Sequence, residues 1–377
     1  MKIDIIEKYI DRLLAESAPT CPSWNIERVQ SGEKAKWNYI DGCMMTALLR
    51  MHEQTGESRY YDFVHEYISS MVSNDGELAG YKEADYNLDN VFSGNALIDV
   101  YRISKEEKYI KAMDLLLAQL QKQPRTSHGN YWHKLIYPNQ VWLDGLYMAQ
   151  VFRSRYERYF GMGSDYRDIY MQFKNVRYLM FDEKKRLYIH AFDASGQAFW
   201  AKGNGQSQNA WLRAIGWFAA ALADVLEAYP DEMEKEKEFL KGQLSELFEG
   251  MIDYLDKESG MFLQVVDYPK ADGNYPETSG SALVGYAMMK SARLEYTEAK
   301  WKETGYRLFE SICKKYLKEE NGRLSLGGIC LVAGLGPEDN KRRDGSIDYY
   351  MSEPVVENEA KGIAPFLYCY SESLYKD

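Results

Sequence analysis

Two aspartates stand in settings suited to general acid/base chemistry on a sugar. Asp89 lies in Tyr86-Asn-Leu-Asp-Asn90 and Asp144 in Asn139-Gln-Val-Trp-Leu-Asp144, each flanked by aromatic and amide residues at the start of an apolar segment. A pair of carboxyl groups can divide such work, one holding a proton while the other stays ionised, provided their surroundings push their pKa values apart. Other reactive side chains sit close by in sequence. Trp142 is two residues ahead of Asp144, and His133 and Lys134 close the run Gly129-Asn-Tyr-Trp-His-Lys134. His190 belongs to a strand-like piece at 187–192. Arg213 and Trp217 are four apart and share a helical face, with Trp211 just ahead. An arginine beside indole rings suits a sugar carboxylate, and aromatic faces suit the C–H faces of sugar rings. The bland alternative for any single ring is that it anchors a long loop. Asp41 and Glu277 occupy comparable positions and are read as helix N-caps, worth on the order of 1 kcal/mol each.

The elements that must position these residues show in a recurring phrase, a small or polar residue and a glycine followed by an apolar helix. Its copies are Asp41-Gly42, Ser93-Gly94, Asp144-Gly145, Ile215-Gly216, Ser279-Gly280 and Lys361-Gly362. The glycines are 52, 51, 71, 64 and 82 residues apart. That is too irregular for a short solenoid repeat but right for six helical hairpins with loops of different length. Spacings of three and four between apolar residues, as in Leu212, Ile215, Phe218, Ala219, Leu222 and Leu226, mark the segments as helices. A second, more charged helix follows each tight turn, as at 58–72, 106–122, 233–254 and 299–316. The return connections are long, at 17–38, 74–89, 123–140, 179–208, 255–276 and 317–355, with strand-like pieces at 187–192 and 261–266. A first helix over 2–16 has no partner before it and the last, about 356–373, none after it, so pairing the two closes a ring. The expected fold is therefore all-α, an (α/α)6 barrel of six hairpins with inner and outer helix rings. All six long connections then gather at the N-terminal ends of the inner helices, and the site belongs on that face.

The bulk properties narrow the chemistry. No linker or low-complexity run interrupts the 377 residues, so one domain over 1–377 is expected. The dense charge cluster Asp339-Asn-Lys-Arg-Arg-Asp344 is short. A net charge of −11 with dispersed acids argues against nucleic acid. The acids inside the first amphipathic segment argue against a signal peptide, and no apolar run reaches the roughly 18 residues of a membrane span. Five cysteines without a Cys-x-x-Cys pair fit a reducing cytoplasm rather than a structural zinc. With five histidines and no dinucleotide or phosphate-loop fingerprint, neither a metal nor a cofactor is expected. Gly203-Asn-Gly-Gln-Ser207 lacks the Gly-Lys-Ser/Thr ending of a phosphate loop. A monomer or weak homo-oligomer is expected.

These strings resemble the unsaturated rhamnogalacturonyl hydrolases of glycoside hydrolase family 105. The resemblance rests on Gly129-Asn-Tyr-Trp-His-Lys134, Tyr137-Pro-Asn-Gln-Val-Trp-Leu-Asp-Gly-Leu-Tyr-Met148, Trp211-Leu-Arg-Ala-Ile-Gly-Trp217 and Glu277-Thr-Ser-Gly-Ser-Ala282. It covers nearly the whole chain. It implies an (α/α)6 barrel that removes a terminal 4,5-unsaturated galacturonic acid from rhamnogalacturonan oligosaccharides already cut by a pectin lyase. It implies Asp144 as proton donor to the vinyl ether and water activator, with Asp89 assisting. It implies Arg213, His190, Trp211 and Trp217 on the uronate ring, and Trp142, His133 and Lys134 along the pocket. A related family acts on unsaturated glucuronyl residues of glycosaminoglycans. Three other readings remain at this point. An inverting glycosidase on saturated sugars would place a second acid, such as Glu277, Glu353 or Glu357, roughly 6.5–9.5 Å from the first. A binding protein would leave both aspartates as caps. An epimerase would want histidines on inner helices, whereas His133 and His190 are borne on loops.

Overall fold

The computed structural model describes residues 3–161 and 163–375. Six inner helices follow one another along the chain: Tyr39–Thr55, Gly94–Ser104, Leu143–Phe160, Leu212–Ala228, Thr278–Arg293 and Ala360–Ser373. Each packs on the next and the sixth on the first, so the ring is closed. Outside them run Ile3–Ala15, Ser58–Met71, Glu107–Lys122, Tyr166–Met180, Glu234–Met251 and Lys300–Tyr316. The expected (α/α)6 barrel is the observed fold, and the hairpin helices begin and end within a few residues of the expected bounds. Residue 2 of the expected first helix, and residues 1, 162, 376 and 377 of the expected domain, lie outside the described residues. Ring contact between Tyr9 and Phe366, and a hydrogen bond from Tyr370 Oη to Glu7 Oε1 (2.7 Å), join the first helix to the last.

The recurring glycines have a steric cause. A Cβ on Gly216 would sit 2.9 Å from Gly280 O, and one on Gly280 would sit 2.8 Å from Leu212 O. The fourth and fifth inner helices therefore touch through their backbones, an approach that any side chain would prevent. At the first inner helix, a Cβ on Gly42 would collide with Ser93. Glycine in a helix interior costs roughly 0.5–1 kcal/mol relative to alanine, and close packing of the inner ring is what it gains here.

The two rings differ as their packing requires. In the fourth inner helix nearly every residue from Leu212 to Ala228 is buried, because the helix is covered by neighbours on all sides. The outer helix Lys300–Tyr316 buries only the stripe Trp301, Gly305, Leu308, Phe309 and Ile312. The long connections carry antiparallel two-stranded ribbons that fix their ends: Gln140–Trp142 with Ala191–Asp193, Phe181–Asp182 with Leu187–Tyr188, Leu317–Glu320 with Arg323–Leu326, and Ile329–Cys330 with Val355–Val356. The piece at 261–266 departs from its expected strand and makes only isolated bridges, such as Trp211 with Val265. Two of those bridges pair it with the residues just ahead of helix starts, Trp211 and Pro276, and the third, Asp256 with Met261, closes a local turn.

At the C-terminal ends of the inner helices the barrel axis is crossed by a buried ion network. Asp224 accepts from Lys290 Nζ (2.7 Å), Arg50 Nη2 (2.7 Å), Tyr286 Oη (2.5 Å) and Tyr147 Oη (3.3 Å). Burial alone would raise its pKa, but Arg50 and Lys290 outweigh it and hold the carboxyl well below the usual range. Below this network a cavity of about 520 Å³ opens to the far mouth among Arg102, Lys105, Arg155 and Arg158. Among the described residues no helix is long and apolar enough to cross a membrane.

Candidate active site

At the N-terminal face the ribbon Gln140–Trp142 leads straight into the third inner helix, which places Asp144 in that helix's first turn. Asp89 occupies the first turn of the short helix Leu88–Phe92, packed against the third inner helix. The chain ahead of Leu88 is tied to the His133 loop by Leu88 N donating to His133 O (3.2 Å). That tie brings Lys134 Nζ to 2.5 Å from Asp89 Oδ2 and His133 Nε2 to 3.4 Å from Asp89 Oδ1.

The two carboxyl groups are driven apart electrostatically. Asp144 is pushed up to about 7, first by burial and then by the Asp89 charge, against the weaker pull of Lys134 and Arg213. Its Oδ1 is buried without a hydrogen-bond partner. Asp89 is also buried, but Lys134 and His133 overcome the cost of burial and hold it below its ordinary value. One carboxyl thus keeps its proton near neutrality while its neighbour is ionised, the arrangement general acid catalysis requires. Because the two titrate together, the value near 7 belongs to the pair as much as to Asp144.

Both histidines are neutral. Burial pulls His133 down to about 4 and His190 to about 3. Tyr350 Oη and His190 Nδ1 lie 2.7 Å apart and share a hydrogen bond whose donor is set by the imidazole tautomer. His190 Nε2 is buried with no protein partner. His133 packs its Nδ1 against Gly145, where a Cβ would approach it to 2.9 Å. Trp142 stacks on His133 (centroids 4.5 Å apart) and on Tyr137 (4.6 Å), and His190 packs on Trp211 (4.7 Å). Trp211 Nε1 is likewise buried without a partner, and Tyr275 and Gln264 have only the Cys330 thiol beside their buried polar atoms. Polar groups left open in this way are rare in a native interior. Their presence beside Asp144, His190 and Trp211 fits a pocket whose donors and acceptors are completed by a polyhydroxyl ligand.

Asp89, His133, Lys134, Trp142, Asp144, His190 and Trp211 belong to this connected face. Arg213 is buried and committed to protein: Nε donates to Ser279 Oγ (2.7 Å), Nη2 donates to the Cys330 carbonyl, and Nη2 lies 3.7 Å from Glu277 Oε1. Its charge still reaches Asp144. Trp217, one helical turn beyond Arg213, packs with the rings of Tyr147 (4.6 Å) and Phe92 (6.3 Å) and is 2% exposed.

The two acids read as caps divide. Glu277 is the N-cap of the fifth inner helix, accepting from Ser279 N (3.1 Å) and Gly280 N (2.8 Å). Asp41 lies inside its helix, where Asn38 is the cap, and is buried, accepting from Asn25, Asn38 and Tyr67. Sequence reasoning missed Tyr39, whose phenol feels the charges of Asp89 and Arg213, and Glu359, the N-cap of the last inner helix paired with Lys361 (2.9 Å). It also missed Tyr350 as the partner of His190. Glu359, ahead of Lys361-Gly362, was findable from cap spacing; the other two rest on contacts between distant connections. Among the described residues no three His, Cys, Asp or Glu side chains converge as metal ligands would. The cavity of about 520 Å³ is lined by none of these residues, so its size does not locate the chemistry.

Comparison with known proteins bears on the family and the fold. The model of Glycosyl Hydrolase Family 88 matches residues 9–376. A solved glycoside hydrolase from family 105 of Clostridium acetobutylicum (C. acetobutylicum ATCC 824) is 34% identical, with a TM-score of 0.88 over 97% of this chain and 99% of that one. The unsaturated rhamnogalacturonyl hydrolase YesR of Bacillus subtilis (strain 168) is 26% identical over 272 residues, 70% of this chain and 72% of its own. The unsaturated glucuronyl hydrolase of Bacillus sp. GL1 shares the fold at 12% identity, with a TM-score of 0.66 over 96% and 94% of the two chains.

Proposed function

The chain belongs to Glycosyl Hydrolase Family 88, and from that premise we propose that it removes a terminal 4,5-unsaturated uronic acid from oligosaccharides, with lyase-generated rhamnogalacturonan fragments as the substrate. The observation that carries this reading is the split carboxyl pair, Asp144 protonated near neutrality beside an Asp89 that Lys134 keeps ionised. In a 4,5-unsaturated uronate the C4=C5 bond and the ring oxygen form a vinyl ether. Protonation at C4 by Asp144 places positive charge on C5 and the ring oxygen. Asp144, now ionised, accepts a proton from water as that water adds to C5. The resulting hemiketal opens, the anomeric bond to the aglycone breaks, and the aglycone leaves as an alcohol. One water is consumed and the donor's proton is restored. Asp89 assists by holding water or a ring hydroxyl, and its fixed negative charge stabilises the cation that forms.

The remaining groups are placed by their chemistry. Neutral His190 hydrogen-bonds the sugar through its unpartnered Nε2 without adding a positive charge that would oppose the cation. Trp142 and Trp211 supply flat apolar walls, and Arg213 biases the pocket toward an acidic sugar through its field. Every residue in this scheme comes from one chain, so a monomer suffices. The unpaired cysteines support a cytoplasmic location.

The test follows the ultraviolet absorbance of the conjugated double bond. Wild type is expected to bleach unsaturated rhamnogalacturonan fragments, while Asp144→Asn binds them and leaves them intact. Bleaching only of an unsaturated chondroitin disaccharide would move the substrate to glycosaminoglycans with the same chemistry. Full turnover by Asp144→Asn would remove the mechanism.

A further inference from the structure

The charge cluster at 339–344 is not used by the scheme above. Most of its charges are spoken for. Lys341 lies 3.8 Å from Glu338, Arg342 Nη2 donates to Glu353 (2.6 Å), and Asp344 accepts from Ser346 N (2.8 Å). Arg343 differs. Its side chain makes no hydrogen bond or ion pair with any described residue, and its Nε is buried without a partner.

The loop that carries it is held firmly. Gly336 N donates to Arg343 O and Arg343 N donates to Asn340 O, closing a tight turn. A Cβ on Gly336 would clash with Asn340 O, so only glycine allows that turn. On one side Leu335 is buried with Tyr137, Trp142 and Trp200; on the other, Gly334 N donates to Tyr349 Oη (2.9 Å) and Asn209 Nδ2 donates to Gly345 O (2.7 Å). Arg343 Nη1 and the benzo edge of Trp142 both come within 3.6 Å of the point where a Gly334 Cβ would lie. The guanidinium therefore stands at the outer edge of the ring that walls the pocket. Lys134 and Arg213, the other cations here, already have protein acceptors. Arg343, unlike these two, has no protein acceptor among the described residues.

We infer that Arg343 is a substrate-binding residue at the mouth of the pocket, taking an acidic group carried by the aglycone beyond the sugar that sits over Asp144. A half-buried guanidinium without a carboxylate partner is stabilised when a ligand carboxylate arrives, and its planar donors favour a bidentate contact. Placement at the rim, outside the Trp142–His133 stack, assigns it to the sugars that project outward rather than to the terminal ring. Rhamnogalacturonan fragments longer than a disaccharide offer such a second uronate.

This inference rests on the proposed reading, and the experiment separates the two. Steady-state constants are measured for wild type, Arg343→Gln and Arg343→Lys on an unsaturated rhamnogalacturonan disaccharide and on the tetrasaccharide with a second uronate. Arg343→Gln is expected to raise KM for the tetrasaccharide about tenfold with kcat held, as loss of a charge-assisted contact should, and to leave the disaccharide constants unchanged. Arg343→Lys should recover part of the loss. Equal change on both substrates, or no change on either, would overturn it. Should wild type turn over neither, the reading of function fails, and calorimetric binding of saturated tetragalacturonate still tests Arg343. Weaker binding by Arg343→Gln supports the contact, and unchanged binding refutes it.

Discussion

The pH dependence of turnover offers the sharpest test of the carboxyl pair, because Asp89→Asn should move it in a direction fixed by charge. Asp144 titrates near 7 against an ordinary 3.8, and three pKa units correspond to about 4 kcal/mol favouring the protonated form. At pH 7 about half of the enzyme holds the donor's proton, where an unperturbed aspartate would hold it in roughly one molecule in a thousand. As a general acid must start protonated, kcat/KM should fall tenfold per unit above pH 7. Burial is the larger cause of the shift and the Asp89 charge the second. Neutralising Asp89 therefore lowers the Asp144 pKa without restoring 3.8. A charge several ångströms away in a medium of effective dielectric about 20 is worth on the order of 1–2 kcal/mol, so the alkaline limb should move about one unit toward acid. The assay is the bleaching of the conjugated double bond from pH 4 to 9, with kcat/KM fitted for wild type and Asp89→Asn. The absolute rate falls as well, since Asp89 assists the chemistry, but the position of the limb is independent of that loss. A limb that stays in place, or activity that climbs with pH through 7, would refute the assignment of Asp144 as the acid.

Three further outcomes are expected. The raised pKa of Asp144 means that ionising it costs folding stability; the cost is absent below pH 3.8 and reaches at most about 4 kcal/mol above pH 7. Asp144→Asn should accordingly raise Tm more at pH 8 than at pH 5, and an equal gain at both would contradict the burial argument. Trp217→Ala should destabilise by roughly 3–5 kcal/mol in denaturant titration, as a large core truncation does, whereas Trp142→Ala should chiefly raise KM; the reverse pattern would return Trp217 to the pocket wall. Asp224→Ala should cost about 3–5 kcal/mol by leaving Arg50 and Lys290 buried without their shared acceptor. A melting temperature unchanged by Asp224→Ala would show that the network contributes little.

The fold was legible because its signal is local. The glycine at the head of each inner helix and the apolar spacing behind it are properties of short windows, and the backbone contacts between Gly216 and Gly280 explain why the residue recurs. Tight turns against long returns then gave the hairpin order. The ribbons were less visible because their strands are only two to four residues long, and some pair segments far apart, as Gln140–Trp142 does with Ala191–Asp193. At the site, Asp89, Lys134 and His133 were nominated from neighbouring loops, and the structure brings them within a few ångströms. Helical spacing gives Trp217 a shared face with Arg213, but its packing on Tyr147 and Phe92 shows only in the folded barrel. Tyr350 lies 160 residues from its partner His190, and the place of Arg343 beside Trp142 is a property of the folded loop alone.

Beneath the pocket, Trp217, Phe92 and Tyr147 fill the barrel and the Asp224 network crosses it further down. The barrel is therefore closed along its axis. On the proposed function, a polysaccharide could not be threaded through the ring; a chain end would enter head first from the N-terminal face, and the freed monosaccharide would leave by the same opening.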